Sequence, residues 1–124
     1  MKVTYNKLVR DNMLSVYEAD VAAKRTATDF SVRHLTPTET LALLKDKLLE
    51  EAQEVFEAYE PGQEAHLKEE LADVIEVIDA ILYHKGISLG EVLEIRDAKK
   101  ARKGGFETGL YLESIDYIDG KEPR

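Results

Sequence analysis

The chain has 124 residues, 44% of them hydrophobic, with no cysteine and a formal net charge of −8 at pH 7. This length suits one small domain, 1–124, and because no apolar run approaches a membrane span or a secretory signal, we expect no membrane contact and a cytoplasmic location. The negative charge argues against nucleic acid as a partner, and the lack of cysteine excludes disulfides, thiolate metal sites and cysteine nucleophiles.

The first half of the chain predicts two helices and, between them, a segment with no helical pattern. Apolar spacing predicts a helix over residues 7–19, and the alternation in residues 29–35 predicts a short strand or an ordered loop. Thr36 and Glu39 have the spacing of a capping box, which starts a longer helix. That helix is expected to run to about residue 59, where Pro61-Gly62 ends it.

The second half predicts two further helices and a tail. One helix is predicted over about residues 64–85, and Gly86 ends it. The next covers about residues 88–103 and is closed by Gly104-Gly105. Residues 106–118 contain short alternating stretches that predict a small strand or hairpin. The expected fold is therefore all-α, an antiparallel helical bundle with minor short strands.

Two runs of carboxylates stand out on the two long helices: Glu50-Glu51-x-x-Glu54 and Glu70-x-x-Asp73. Acids three or four residues apart share a helix face, and an antiparallel hairpin would bring the two runs opposite each other. Their position at the edge of the apolar stripes is costly unless the acids are paired or hold a cation. Oxygen ligands of this charge suit Mg²⁺, or Mn²⁺. The alternative is an ordinary solvated face of an acidic helix pair.

The basic residues concentrate in the last predicted helix. Residues 50–76 hold ten acids against one lysine, whereas residues 96–103 hold five basic residues against one aspartate. Lys99 and Arg102 continue the apolar face of that helix, and Lys100 points elsewhere. This pattern indicates a phosphate site beside a metal site, although cations at a helix C-terminus also simply complement its dipole.

Four segments together resemble the all-α nucleoside triphosphate pyrophosphohydrolases, in particular the branch that is similar to MazG and to phosphoribosyl-ATP pyrophosphohydrolase. They are Tyr5-Asn6-Lys7-Leu8-Val9-Arg10-Asp11, the EExxE run at 50–54, the ExxD run that opens residues 70–80, and Lys99-x-x-Arg102-x-Gly104-Gly105-Phe106. Two positions depart from the family pattern. Asn12-Met13-Leu14 replaces Lys-Ile-Pro, and Lys103 is inserted after Arg102, which leaves either residue as the counterpart of the family arginine.

The resemblance implies Mg²⁺-dependent hydrolysis of a nucleoside triphosphate, normal or modified, to the monophosphate and pyrophosphate, as in removal of damaged nucleotides. It implies four metal ligands: Glu51, Glu54, Glu70 and Asp73. Glu50 would be a further ligand or would orient the attacking water, so Glu50 and Glu51 are the expected catalytic residues. Substrate contacts are expected from five side chains: Asn6, Lys7, Arg10, Lys99 and Arg102.

A homodimer or homotetramer is also expected, because several apolar residues lie off the main stripes: Leu43, Leu49, Phe56, Ile75 and Leu82. Two other functions are compatible with the sequence: hydrolysis of phosphoribosyl-ATP by the same chemistry, and a non-catalytic oligomerisation or regulatory module. A di-iron centre needs a Glu three residues before a His, and no histidine in this sequence has one.

Overall fold

The computed structural model describes residues 1–121 and 123, and within them the regular structure is entirely helical. The four helices are α1 (Met13–Ala23), α2 (Pro37–Glu57), α3 (Glu64–Lys85) and α4 (Leu89–Lys103). The all-α prediction is therefore confirmed, and α3 has the predicted bounds. None of these helices is both long and apolar enough to cross a bilayer.

The chain forms two compact units, residues 1–89 and residues 90–124. The first unit is built on α2 and α3, which pack against each other and are joined by residues 58–63. Gly62, with φ of +88°, lies in this connection, where a residue with a Cβ would be strained. A short connection of this kind keeps the acidic runs of α2 and α3 within reach of each other.

The start of α2 follows from its predicted capping box. The Thr36 hydroxyl accepts a hydrogen bond from the Glu39 N–H at 3.2 Å, and the Glu39 carboxylate accepts one from the Thr36 N–H at 3.1 Å. The hydrogen bond from the Thr36 backbone lowers the pKa of Glu39, with a further contribution from Arg33. Caps of this type are worth about 1 kcal/mol, so this cap fixes where α2 begins.

The hydrophobic core of the described residues is small: it holds Leu44, Ala58, Val77 and Leu82. Leu82 was predicted to lie on a surface that needs a partner subunit, but it is buried near the end of α3, so that prediction was wrong for this residue. Large apolar side chains do remain exposed on α2 and α3, among them three of those predicted to need a partner: Leu49, Phe56 and Ile75.

The predicted first helix was wrong at both ends, because α1 covers Met13–Ala23 instead of residues 7–19. Asn6, which directly precedes the predicted start, takes a left-handed φ of +47°. The Met13 N–H bonds to the Arg10 carbonyl in a turn that precedes α1. Residues 1–10 contain no helix, and Arg10 at their end pairs with Asp73 of α3.

The small strand or hairpin predicted for residues 106–118 was wrong, whereas for residues 29–35 the loop alternative is the one that the structure shows. Residues 29–35 and 106–118 contain no strand. An alternating pattern becomes a strand only when a neighbouring strand completes its hydrogen bonds, and neither segment has such a neighbour among the described residues. The 29–35 segment is held differently, since the Phe30 ring packs on Tyr17 with centroids 5.7 Å apart.

The second unit contains α4 and the tail. Helix α4 ends as predicted at the glycine pair, where the N–H of Gly104 bonds to the Lys100 carbonyl at 2.7 Å. Gly104 has φ of +86°, the left-handed conformation that commonly ends a helix.

Candidate metal centre and adjoining cleft

Three of the predicted metal ligands come together in the first unit. Helix α2 supplies Glu51, and α3 supplies Glu70 and Asp73, one turn apart. One carboxylate oxygen from each lies within 4.8 Å of the other two. Glu51 and Glu70 are only 5% and 8% exposed, and Asp73 is partly buried. Acids this deeply placed need compensation from a partner or a cation.

Two oxygens of this cluster have no compensation from the described residues. Glu51 Oε2 and Glu70 Oε2 are buried and accept no hydrogen bond. Unsatisfied buried acceptors are uncommon in folded proteins, where such groups usually contact an ordered water or an ion. A hard divalent cation takes oxygen ligands at this density of negative charge, so the residues present fit Mg²⁺ or Mn²⁺.

Glu54, the fourth predicted ligand, interacts electrostatically with this cluster. Its pKa is raised, mainly by the proximity of the Glu70 carboxyl group and also by burial and by other neighbouring charges. Burial raises the pKa of Glu51, and the proximity of Glu54 adds to the effect, while Lys47 opposes it. Both shifts have the same meaning: without a cation, the site resists holding all its carboxyls ionised.

A cleft of about 520 Å³ opens beside the carboxylates. Its lining includes three residues predicted to bind substrate, Asn6, Lys7 and Arg10, and the predicted catalytic residue Glu50. Leu43, Met13 and Tyr17, which the sequence analysis did not assign to the site, contribute apolar surface. The N-terminal segment and the acidic helices thus form one concave surface.

Arg10 links the N-terminal segment directly to the acidic helices. Its Nη2 donates to Asp73 Oδ1 at 2.7 Å, across 63 positions of sequence. Lys7, by contrast, lies over the Tyr5 ring, with its Nζ 5.4 Å from the ring centroid. A residue predicted to contact substrate therefore neutralises a predicted metal ligand in this structure.

Two basic side chains that the sequence analysis missed also face the acids. Lys47 Nζ lies 3.3 Å from Glu51 Oε1, and His66 Nε2 lies 3.7 Å from Glu70 Oε1. Each stands four residues before its acid on the same helix, which is a spacing that brings side chains together. That spacing is visible in the sequence and was the signal available to find them.

The two remaining predicted substrate residues, Lys99 and Arg102, lie on α4 in the second unit, and both are exposed. Ile95, on the apolar face that they were predicted to continue, is 67% exposed. Lys100, which was predicted to take no part, has its Nζ 3.5 Å from Glu107 Oε1.

The family comparison matches the part of the chain that holds the carboxylates. The model of the MazG nucleotide pyrophosphohydrolase domain matches residues 39–103, a little over half of the chain. This range includes both acidic runs and α4, while the cleft-lining segment at residues 6–10 precedes it. No curated protein and no solved structure gives a significant match. The resemblance found in the sequence is confirmed: the chain belongs to the MazG nucleotide pyrophosphohydrolase family.

Proposed function

We propose that this protein is a Mg²⁺-dependent nucleoside triphosphate pyrophosphohydrolase, with Mn²⁺ as an alternative metal. Water would cleave the anhydride between the α- and β-phosphates of an NTP or dNTP and give the monophosphate and pyrophosphate. The observation that carries this proposal is the convergence of Glu51, Glu70 and Asp73 inside the range of the family match. Removal of damaged or modified nucleotides is the biological role we propose.

The metal would be held by four carboxylates: Glu51, Glu54, Glu70 and Asp73. Bound there, it would polarise phosphoryl oxygens and lower the pKa of water. Glu50 lines the cleft. Its carboxylate would either complete the ligand set or accept a hydrogen bond from the attacking water and so orient it.

The polyphosphate would be bound by cations and one amide from the N-terminal segment. Asn6, Lys7 and Arg10 line the cleft, whose volume is in the range of small-molecule sites. Donors that face the leaving pyrophosphate stabilise the charge that develops on it. We assign Lys99 and Arg102 the same task, with Lys103 as the alternative to Arg102.

We further propose that residues 1–124 act as one cytoplasmic domain, and that α2 and α3 belong to an antiparallel bundle in a homodimer or homotetramer. The exposed apolar side chains of these helices support an oligomer, because monomers rarely expose large apolar patches. Light scattering at micromolar concentration tests this proposal, and a monomeric mass would contradict it.

The activity is tested by incubating the protein with Mg²⁺ and a panel of normal and modified nucleoside triphosphates, with phosphoribosyl-ATP included. We expect pyrophosphate and a monophosphate from at least one of them, and no orthophosphate. Reaction in ¹⁸O-labelled water then identifies the attacked phosphorus, because the label stays on the product that received the water oxygen.

Two control variants sharpen this test. Glu51→Gln removes a proposed ligand, whereas Glu69→Gln changes an exposed acid of α3. Loss of product with the first variant only would assign the activity to this site and exclude a contaminating phosphatase. Hydrolysis of phosphoribosyl-ATP alone would favour a phosphoribosyl-ATP pyrophosphohydrolase over an enzyme that acts on nucleoside triphosphates. No turnover of any substrate would favour the non-catalytic module.

A further inference from the structure

The cleft beside the carboxylates has an apolar wall to which the proposed chemistry gives no task. Three of the side chains that line it are apolar or aromatic: Met13, Tyr17 and Leu43. Met13 and Tyr17 stand four residues apart on α1 and therefore share one face of that helix. Helix α1 contains no buried residue, and all three lining residues are half-buried. Each of them therefore keeps part of its surface for a molecule in the cleft.

The course of α2 along the cleft separates this wall from the acidic end. Leu43 and Glu50 both line the cleft, and seven residues, about two helical turns, place them on one face of α2. At the usual rise per residue they lie about 10 Å apart along the helix. A nucleotide has the same polarity, because its sugar separates the charged phosphates from a flat base with largely apolar faces. A nucleotide with its phosphates at the acidic end would therefore carry its base toward the apolar wall.

Tyr17 is the aromatic side chain of this wall. Its ring packs on the ring of Phe30, with centroids 5.7 Å apart and planes inclined by 49°. Phe30 is half-buried and is not among the residues that line the cleft, so it contacts Tyr17 outside the cleft. A ring that is already held in place loses less conformational freedom when a ligand stacks on it.

We propose that Tyr17 is a base-binding residue, whose ring stacks on the nucleobase of the bound nucleoside triphosphate. Phe30 is a positioning residue, which holds that ring. Met13 and Leu43 complete the apolar contact with the base. This inference rests on the proposed function, because the base belongs to its substrate. Tyr17 and Phe30 both precede the matched range 39–103, so the family match assigns them no role.

The alternative is that Tyr17 and Phe30 only pack the N-terminal part of the chain together. Loss of either ring would then disturb the whole cleft wall, including Arg10, and would weaken the binding of phosphates and of nucleotides alike. A stacking ring contributes to binding only when the ligand has a base. A ligand that has phosphates but no base therefore separates the two roles.

The first experiment uses calorimetry at saturating Mg²⁺. It compares the α,β-methylene analogues of ATP, GTP, CTP and UTP with methylenediphosphonate, which has no base. The methylene group replaces the oxygen of the bond that is proposed to break, so binding is measured without turnover. Tyr17→Leu is expected to weaken the tightest-binding nucleotide analogue about tenfold, as for loss of a ring that stacks on a base, and to bind methylenediphosphonate like the parent.

Two further variants serve as controls. Tyr17→Phe keeps the ring and is expected to retain the affinity for the nucleotide analogue. Tyr83→Leu makes the same change at an exposed tyrosine of α3 that does not line the cleft, and it is expected to bind both ligands like the parent.

The second experiment tests whether Phe30 acts through Tyr17. Phe30→Leu alone is expected to weaken the nucleotide analogue about threefold, a loss in the range of one aromatic pair. In the Tyr17→Leu background the same change is expected to cost nothing further, because the ring that Phe30 holds is gone. An equal loss in both backgrounds would overturn the positioning role of Phe30.

The base site is overturned by any of three results: Tyr17→Leu binds the nucleotide analogues like the parent, it loses affinity for methylenediphosphonate to the same extent, or the parent binds no nucleotide analogue more tightly than methylenediphosphonate. Failure of the proposed function gives a different pattern. Nucleotide analogues that bind through Tyr17, with no natural triphosphate hydrolysed, would support the base site and contradict the activity. Hydrolysis that Tyr17→Leu leaves unchanged, with unchanged affinity, would support the activity and overturn the base site.

Discussion

Replacing Glu51 with glutamine should make the metal-free protein more stable while destroying its activity. The side chain is 7% exposed, and its Oε2 accepts no hydrogen bond from the described residues. The isosteric amide removes the buried charge, and its NH₂ would donate to a neighbouring carboxylate such as Glu54. The variant loses the contact with Lys47, which is worth about 0.2–1 kcal/mol.

The balance favours the variant when no metal is present. Relief of an unsatisfied buried acceptor is worth about 1–3 kcal/mol, so a net gain of about 1 kcal/mol remains. For a chain of this size that corresponds to a rise in Tm of about 3–5 °C. In Mg²⁺ the parent should be the more stable of the two proteins. Mg²⁺ at 100 times its Kd stabilises the parent by about 2.7 kcal/mol, and the variant loses most of this stabilisation.

Thermal unfolding in EDTA and in Mg²⁺, followed by circular dichroism, measures both effects, and Glu69→Gln serves as the control. Activity of Glu51→Gln should fall by more than about a hundredfold, since changing even an outer partner of a metal ligand costs 10–100-fold. A Glu51→Gln protein that unfolds more easily than the parent in EDTA would refute this reasoning, because Glu51 would then be a structural acid.

Three further outcomes are expected. In EDTA, Glu51→Gln/Glu54→Gln should gain stability over the parent as pH rises from about 4.5 toward neutral. In the folded parent the pKa values of Glu51 and Glu54 are raised, so in this pH window the folded parent holds more protons than its unfolded chain, and its free energy of unfolding falls as pH rises. Urea titrations in which the difference in free energy of unfolding between variant and parent stays constant with pH would contradict this. Thr36→Ala should lower the free energy of unfolding by about 1 kcal/mol through loss of the α2 cap, as measured by urea denaturation, and no change would mean that the cap is dispensable. Arg102→Ala should lower kcat/KM by about tenfold or more, whereas Lys100→Ala, whose Nζ lies near Glu107, should be close to neutral; steady-state kinetics showing the reverse order would place the wrong face of α4 at the substrate.

The amino-acid sequence by itself determined the helical class, the bounds of α3, the capping box of α2 and the face on which the acids lie. These features depend on interactions within a few residues, such as the bonds between Thr36 and Glu39, and local spacing encodes them. The same spacing indicated that the acids border the core, which the burial of Glu51 and Glu70 confirms.

Tertiary structure decided the parts that involve distant residues. The pairing of Arg10 with Asp73 spans 63 positions, and the irregular course of residues 1–10 brings Arg10 to the acidic helices. The alternating segments at 29–35 and 106–118 had the pattern of strands, but the described part of the chain offers them no neighbouring strand to pair with. A local pattern specifies what a segment can form, whereas the free energy of its available partners decides whether it forms, and those partners are set only when the whole chain has folded.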